Sequence, residues 1–133
     1  MKKIILFIGL LGIVSGVNAQ NSQIGARAAA LGGASITLSD VYSAQNNQAG
    51  LGFVSNASVG AYYENRFLLK QLSYSSFVGA LPMKKGGTFG LTYTGFGYSA
   101  FKQSKFGLGY GMKLSENFTA GVQVNYLTYR VGD

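Results

Sequence analysis

Lys105-Phe106-Gly107-Leu108-Gly109-Tyr110-Gly111-Met112-Lys113-Leu114-Ser115 (KFGLGYGMKLS) places Phe106, Leu108, Tyr110, Met112 and Leu114 at every second position. Lys105, Gly107, Gly109, Gly111 and Lys113 stand between them. Successive side chains of a β-strand point to opposite faces, so this run reads as a strand with one apolar face and one face of glycine and lysine. The embedded "GLGYG" (Gly107 to Gly111) is not a phosphate-cradling loop. Such a loop needs its glycines at a strand-to-helix turn, and here they alternate within a strand with no helix after them. They read instead as the crowded inward face of a curved sheet.

The same period extends on both sides. In NFTAGVQVNYLTY, Phe118, Ala120, Val122, Val124 and Tyr126 face one way, and Thr119, Gly121, Gln123 and Asn125 the other. In GTFGLTYTGFGY, Phe89, Leu91 and Tyr93 oppose Thr88, Gly90, Thr92 and Thr94. Ala57, Val59, Ala61 and Tyr63 alternate with Ser58, Gly60 and Tyr62, and FLLKQLSYSSFVGAL is strand-like with its alternation blurred at Leu68-Leu69. Turn chemistry separates these runs at Glu64-Asn65-Arg66, PMKKGG, GYSAFKQS and Ser115-Glu116-Asn117. Proline cannot donate to a ladder, and Gly and Asn supply positive φ. An antiparallel meander of about five strands follows, each near or above the roughly 9–11 residues a tilted strand needs to cross a bilayer.

Composition sets the surroundings. The 133 residues are 47% hydrophobic and only 11% charged, with 20 Gly and 1 Pro; soluble domains carry about a quarter charged residues. The start, MKKIILFIGLLGIVSGVNAQ, has the form of a secretory signal peptide over residues 1–19. Lys2 and Lys3 precede an apolar run too short to span, and cleavage is expected between Ala19 and Gln20. Without Lys2 and Lys3 the net charge falls from +7 to +5. This excess is dispersed over turns, as at Lys84-Lys85, Lys102 and Lys105, rather than clustered as a nucleic-acid face requires. Acidic lipid head groups are the better-matched neighbours.

His and Cys are absent and only four carboxylates exist, Asp40, Glu64, Glu116 and Asp133, each in a separate turn. No nucleophile–base pair, paired acid and base, or metal-ligand set can be assembled, so no catalytic, cofactor-binding or metal residue is expected and the chain is read as no enzyme. An exported chain poor in charge with no spanning helix reaches a membrane as strands or not at all. A soluble sandwich would want charge on its wet face, and here that face is Gly, Thr, Ser, Asn and Gln. The aromatics, nine Tyr and nine Phe, suit an outward apolar band.

Residues 20–55 differ in kind. A small-residue run, GARAAALGG, suggests a short helical turn ended by Gly32-Gly33, then an apolar strand from Ala34 to Leu38, a turn capped by Asp40, and the amide-rich SAQNNQAGLG. Here IGARAAALGGASITLSDVYSAQNNQAGLG resembles the start of FadL-like outer-membrane proteins, in particular the PorV/PorQ-type proteins of Bacteroidetes. In these a "GARA…GG" run leads through an acidic residue to an "NPAGL" element and the first barrel strand. Gly25, Arg27, Gly32, Gly33, Asp40, Asn47, Gln48, Ala49, Gly50 and Leu51 occupy those places, with Gln48 where the family often has proline. The resemblance implies a plug-like N-terminal segment over residues 20–55, tucked in or against a barrel lumen. It also implies a role in passing hydrophobic compounds or in type IX protein secretion.

Residues 56–133 then form the first strands of an all-β transmembrane barrel in a Gram-negative outer membrane. Its partners would be lipid and lipopolysaccharide, and secretion components or hydrophobic small molecules. About five strands are too few to close a barrel, so the chain is expected to be the N-terminal part of a longer one. The competing reading is an exported soluble β-sandwich that binds a partner; an outer-membrane enzyme would need catalytic residues beyond Asp133.

Overall fold

A computed structural model of the chain describes residues 22–84 and 86–132. The expected signal peptide and its cleavage site at Ala19 and Gln20 lie outside these residues. The alternating runs form five strands, β1 (Ser58–Asn65), β2 (Ser73–Pro82), β3 (Thr88–Tyr98), β4 (Phe101–Lys113) and β5 (Thr119–Val131). They pair in the order β1-β2-β3-β4-β5, every pair antiparallel, so the protein is an all-β meander. The sheet is not closed. Among the described residues no strand pairs with the outer edge of β1 or β5.

The connections are where the expectations needed correction. Pro82 closes β2, and the 83–87 turn is tied by Met83 N–H donating to the Gly87 carbonyl at 3.1 Å. The turn after β4 is closed by Leu114 N–H and Ser115 N–H, which donate to the Phe118 carbonyl at 2.8 and 3.0 Å. The connection expected over GYSAFKQS shrinks to Ser99 and Ala100, because β4 begins at Phe101.

The turn expected at Glu64-Asn65-Arg66 instead spans residues 66–72. FLLKQL is therefore loop, not the start of β2. The physical reason is local: Phe67 and Leu68 have φ of 56° and 57°, the left-handed region, which no ladder accommodates.

Residues 22–54 lie across one face of the sheet. Helix α1 (Ala26–Ala30) ends as expected at its glycine pair: Gly32 N–H donates to Ala29 and Gly33 N–H to Ala28, at 3.1 and 2.8 Å, with Gly32 at φ 63°. This is a Schellman ending, which glycine permits at no steric cost. Ala34 to Leu38, expected as a strand, is a series of turns. Its amides find partners within the segment, Ser35 N–H on Gly33 and Leu38 N–H on Ser35, and no neighbouring strand edge reaches it.

A short helix, α2 (Ser43–Asn46), and a 3-10 helix (Gln48–Phe53) complete the segment. The core sits between it and β1–β3. Ile24, Tyr74 and Val78 pack with Val41, Tyr42, Tyr62 and Phe96; Ala44, Leu51 and Ala80 pack with Val41 and Val54. Burying each such aliphatic side chain contributes roughly 1.5–3 kcal/mol.

Candidate functional site

Strand register sorts the sheet into two faces of opposite character. The face under residues 22–54 carries cross-strand rows of small and polar residues: Ser58, Ala80, Gly90, Gly109 and Gln123 in one, Gly60, Val78, Thr92, Gly107 and Asn125 in the next. Gly111 and Gly121 extend this paving toward the 83–87 turn.

Glycine is required here by close approach. A Cβ on Gly90 would lie 2.8 Å from Leu51 Cδ1 and 2.9 Å from Ala44 Cβ. On Gly111 it would run into the Gln48 carbonyl oxygen, and on Gly121 into the backbone joining Gln48 to Ala49. The backbone of residues 48–52 therefore rests directly on the backbone of β4 and β5, while Leu51 and Ala44 press on Gly90 of β3.

The amide-rich stretch before this seat has a definite job. An irregular segment has no ladder to satisfy its peptide groups, and buried peptide groups left unpaired are costly. The side-chain amides of residues 45–48 supply the partners. Asn46 clasps Ile24, its Oδ1 accepting from the backbone N–H at 3.0 Å and its Nδ2 donating to the carbonyl at 2.8 Å. Asn47 Nδ2 donates to the Ile36 carbonyl at 2.7 Å, and its Oδ1 accepts from Ala49 N–H at 3.3 Å. Gln45 Nε2 donates to the Ser22 carbonyl at 3.3 Å.

Asp40 and Ser43 shape the entry. Asp40 Oδ1 accepts from Tyr42 N–H at 2.9 Å, while Ser43 Oγ accepts from Asp40 N–H at 3.2 Å and donates to the Leu38 carbonyl at 2.8 Å.

Gln48, read from the sequence as a missing proline, reaches furthest. Its Nε2 donates to Gln123 Oε1 at 2.6 Å, and Gln123 Nε2 donates in turn to the Ala44 carbonyl at 3.1 Å and to Thr92 Oγ1 at 3.3 Å. One pair of amides thus links the N-terminal segment to β3 and β5. Asn47, at φ −161° and ψ 99°, has the extended backbone that a following proline would also require.

Of the family-motif positions, Asn47 to Leu51 form this seat together, and Leu51 is fully buried. Gly25, at φ 104°, lies against the Tyr42 ring, Gly32 and Gly33 end α1, and Arg27 is exposed. The sequence offered no sign of the Gln48–Gln123 pairing, because no local pattern links residues 75 apart.

The opposite face is apolar and uncovered by any described residue. Val59, Gly79, Leu91, Leu108 and Val124 make an aliphatic row across all five strands. It is bordered on one side by Phe77, Tyr93, Phe106 and Tyr126, and on the other by Leu81, Phe89, Tyr110 and Val122. The Tyr93–Phe106 and Phe89–Tyr110 ring centroids are 4.8 and 5.1 Å apart, within the range of favourable aromatic pairs. Beyond the Phe77–Tyr126 row the face turns polar, with Ser75, Gly95, Ser104 and Thr128 in one line.

Val124 is 78% exposed and Val122 70%. Gly79 leaves a shallow depression of about 470 Å³ in the aliphatic row, walled by Val59, Leu81, Phe89, Leu91 and Leu108. Among the described residues no cluster of three His, Cys, Asp or Glu is found, and no helix is long and apolar enough to cross a membrane. No family model matches the chain, and neither a curated protein nor a solved structure shows significant similarity to it.

Proposed function

We propose that the protein is a non-catalytic outer-membrane β-barrel protein whose five described strands form part of the barrel wall, with residues 22–54 seated on the inward face. The observation that carries this reading is the inverted polarity of the sheet. Over the middle of β3–β5 the covered face is Gly, Thr, Gln and Asn, with Tyr62, Tyr74, Val78, Ala80 and Phe96 of the same face packing in the core toward β1 and β2, while the face left open is aliphatic between aromatic borders. A water-soluble sheet with one covered face does the reverse, whereas a barrel in lipid has an outward apolar band flanked by aromatic girdles and a polar interior.

The dimensions agree. From Phe118, just before β5, to Tyr126 on it, the apolar positions cover about 26 Å at ~3.3 Å per residue. A tilt of about 40° reduces this to about 20 Å across the bilayer, slightly less than the ~25 Å band of such barrels. The open edges of β1 and β5 need partners in lipid, where each unsatisfied peptide group costs several kcal/mol. Further strands completing the barrel would provide them.

The glycine-and-amide seat suits a plug held against a lumen wall. The FadL-like resemblance at Gly25 to Leu51 then suggests a role in passing hydrophobic molecules or in type IX secretion. Heat-modifiable migration in detergent gels, together with recovery in the outer-membrane fraction, is the expected outcome. Release of the intact protein by carbonate would overturn the reading in favour of a soluble sandwich whose apolar face is covered by a partner.

A further inference from the structure

The β1–β2 loop stands apart from every other connection. Phe67 and Leu68 are 83% and 91% exposed, the two most exposed large apolar side chains described, and Leu69 beside them is half exposed. Phe67 and Leu68 also hold left-handed backbone, which bulky side chains rarely adopt. Strain of this kind persists only where the surroundings impose it.

The part of the loop that follows them is tied to the strands. Leu72 N–H donates to the Leu69 carbonyl at 2.9 Å, Ser73 Oγ donates to the Lys70 carbonyl at 2.6 Å, and Tyr63 OH donates to Ser73 Oγ at 3.1 Å. The stretch Arg66-Phe67-Leu68-Leu69-Lys70-Gln71-Leu72 contains two cations and no acid. The other connection at this end of the sheet, Ser99 and Ala100, is short and carries neither charge nor a large apolar group.

We propose that this loop is an interfacial anchor: Phe67, Leu68 and Leu69 enter the headgroup boundary of a lipid leaflet, and Lys70 meets anionic headgroup phosphates. Apolar side chains buried at that boundary and cations beside an anionic surface add to one another. The loop also lies beyond the line of Ser75, Gly95, Ser104 and Thr128, where the outer face gives way from apolar to polar. A protein partner would not require the basic flank, and neither connection described at this end, 66–72 or Ser99–Ala100, carries an acid with which a second copy could match it.

The anchor rests on the lipid-facing reading of the sheet, and the test separates the two. The chain contains no tryptophan, so Leu68→Trp and Val124→Trp each introduce a single reporter at an exposed position. Each full-length variant is reconstituted in phosphatidylcholine vesicles with or without phosphatidylglycerol, using lipids brominated near the carbonyl or near the chain middle; heat-modifiability checks its folding.

The expected result is blue-shifted emission from position 68, quenched mainly by the shallow bromines, and from position 124 quenched mainly by the deep ones. Adding Lys70→Gln to Leu68→Trp should lower quenching several-fold in the anionic vesicles only. Water-like emission at 68 with quenching at 124 overturns the anchor and leaves the barrel reading standing. Quenching at 68 without quenching at 124 supports the anchor and overturns the lipid-facing sheet. A blue shift at 68 without quenching points to protein contact and overturns the anchor. Quenching at 68 that neither phosphatidylglycerol nor Lys70→Gln changes overturns the headgroup pairing.

Discussion

Residues 22–54 and the sheet they lie on solve the same problem by different means. The sheet pairs its peptide groups with one another, so where the N-terminal segment comes closest its covered face can be built from glycine. The N-terminal segment has no ladder: short helices and turns pair part of its peptide groups, and the side chains of Gln45, Asn46, Asn47 and Gln48 pair others that these leave over. In one region side chains serve the backbone; in the other the backbone frees the side chains to sort by face. Damage should therefore spread differently. A wrong side chain on the sheet disturbs one surface, while a lost amide in the N-terminal segment leaves a peptide group unpaired.

The largest expected effect comes from the uncovered face. With the uncovered face in lipid, as proposed, Val124→Arg should cost about 2–4 kcal/mol at mid-bilayer depth, read as loss of the folded, heat-modifiable form in vesicles. From the strand pattern alone, Gln123→Arg would be harmless because it points away from lipid. Its hydrogen bonds to Gln48, Ala44 and Thr92 change that expectation. Gln123→Arg should still insert, but protease should cut within residues 22–54 sooner. Equal insertion of both variants would remove the distinction between the faces.

Next comes the glycine seat. Gly111→Val forces a side chain onto the Gln48 carbonyl, and overpacking of this kind costs typically 1–3 kcal/mol. Faster cleavage of residues 22–54 with an unchanged strand signal in circular dichroism is the expected readout. Loss of the strand signal would mean that the sheet depends on its cover.

Of similar size is Asn46→Ala, which removes both clasps on Ile24. At a net 0.5–1.5 kcal/mol for each hydrogen bond, the loss should be about 1–3 kcal/mol, confined to the N-terminal segment. Hydrogen exchange at the Ile24 amide would report it. Least disruptive is Gln48→Pro. Asn47 is already extended, so the backbone should accept proline with a net change of about 1 kcal/mol or less. The lost amide pair would show mainly as faster exchange near Ala44.

How far the sequence could be read follows from the same contrast. Period-two alternation at Phe106 to Met112 and at Ala120 to Tyr126 is a local signal, and it placed side chains on faces that the register reproduces. The loop at 66–72 misled because Phe67, Leu68 and Leu69 look like strand residues; only their left-handed backbone reveals otherwise. Ala34 to Leu38 failed for a related reason, since apolar residues make a strand only where an edge receives them. The seat itself was hidden. Gly107, Gly109 and Gly111 could be recognised as a crowded face, but the residues that crowd Gly90, Gly111 and Gly121 lie some 40 to 75 positions earlier.

The pairing of Gln48 with Gln123 has a consequence for how the protein comes into being. In chain order the N-terminal segment is made first, while its seat is finished only when β5 is in place. Contacts between such distant positions form slowly, since the intervening chain must be ordered first. Until then Gln48 and its neighbours have no wall to rest on, and the edges of the growing sheet are open to mispairing. Biogenesis of this molecule is therefore a matter of waiting: the earliest residues to arrive are among the last to settle, and a chaperone acting before β5 is delivered would find its substrate there.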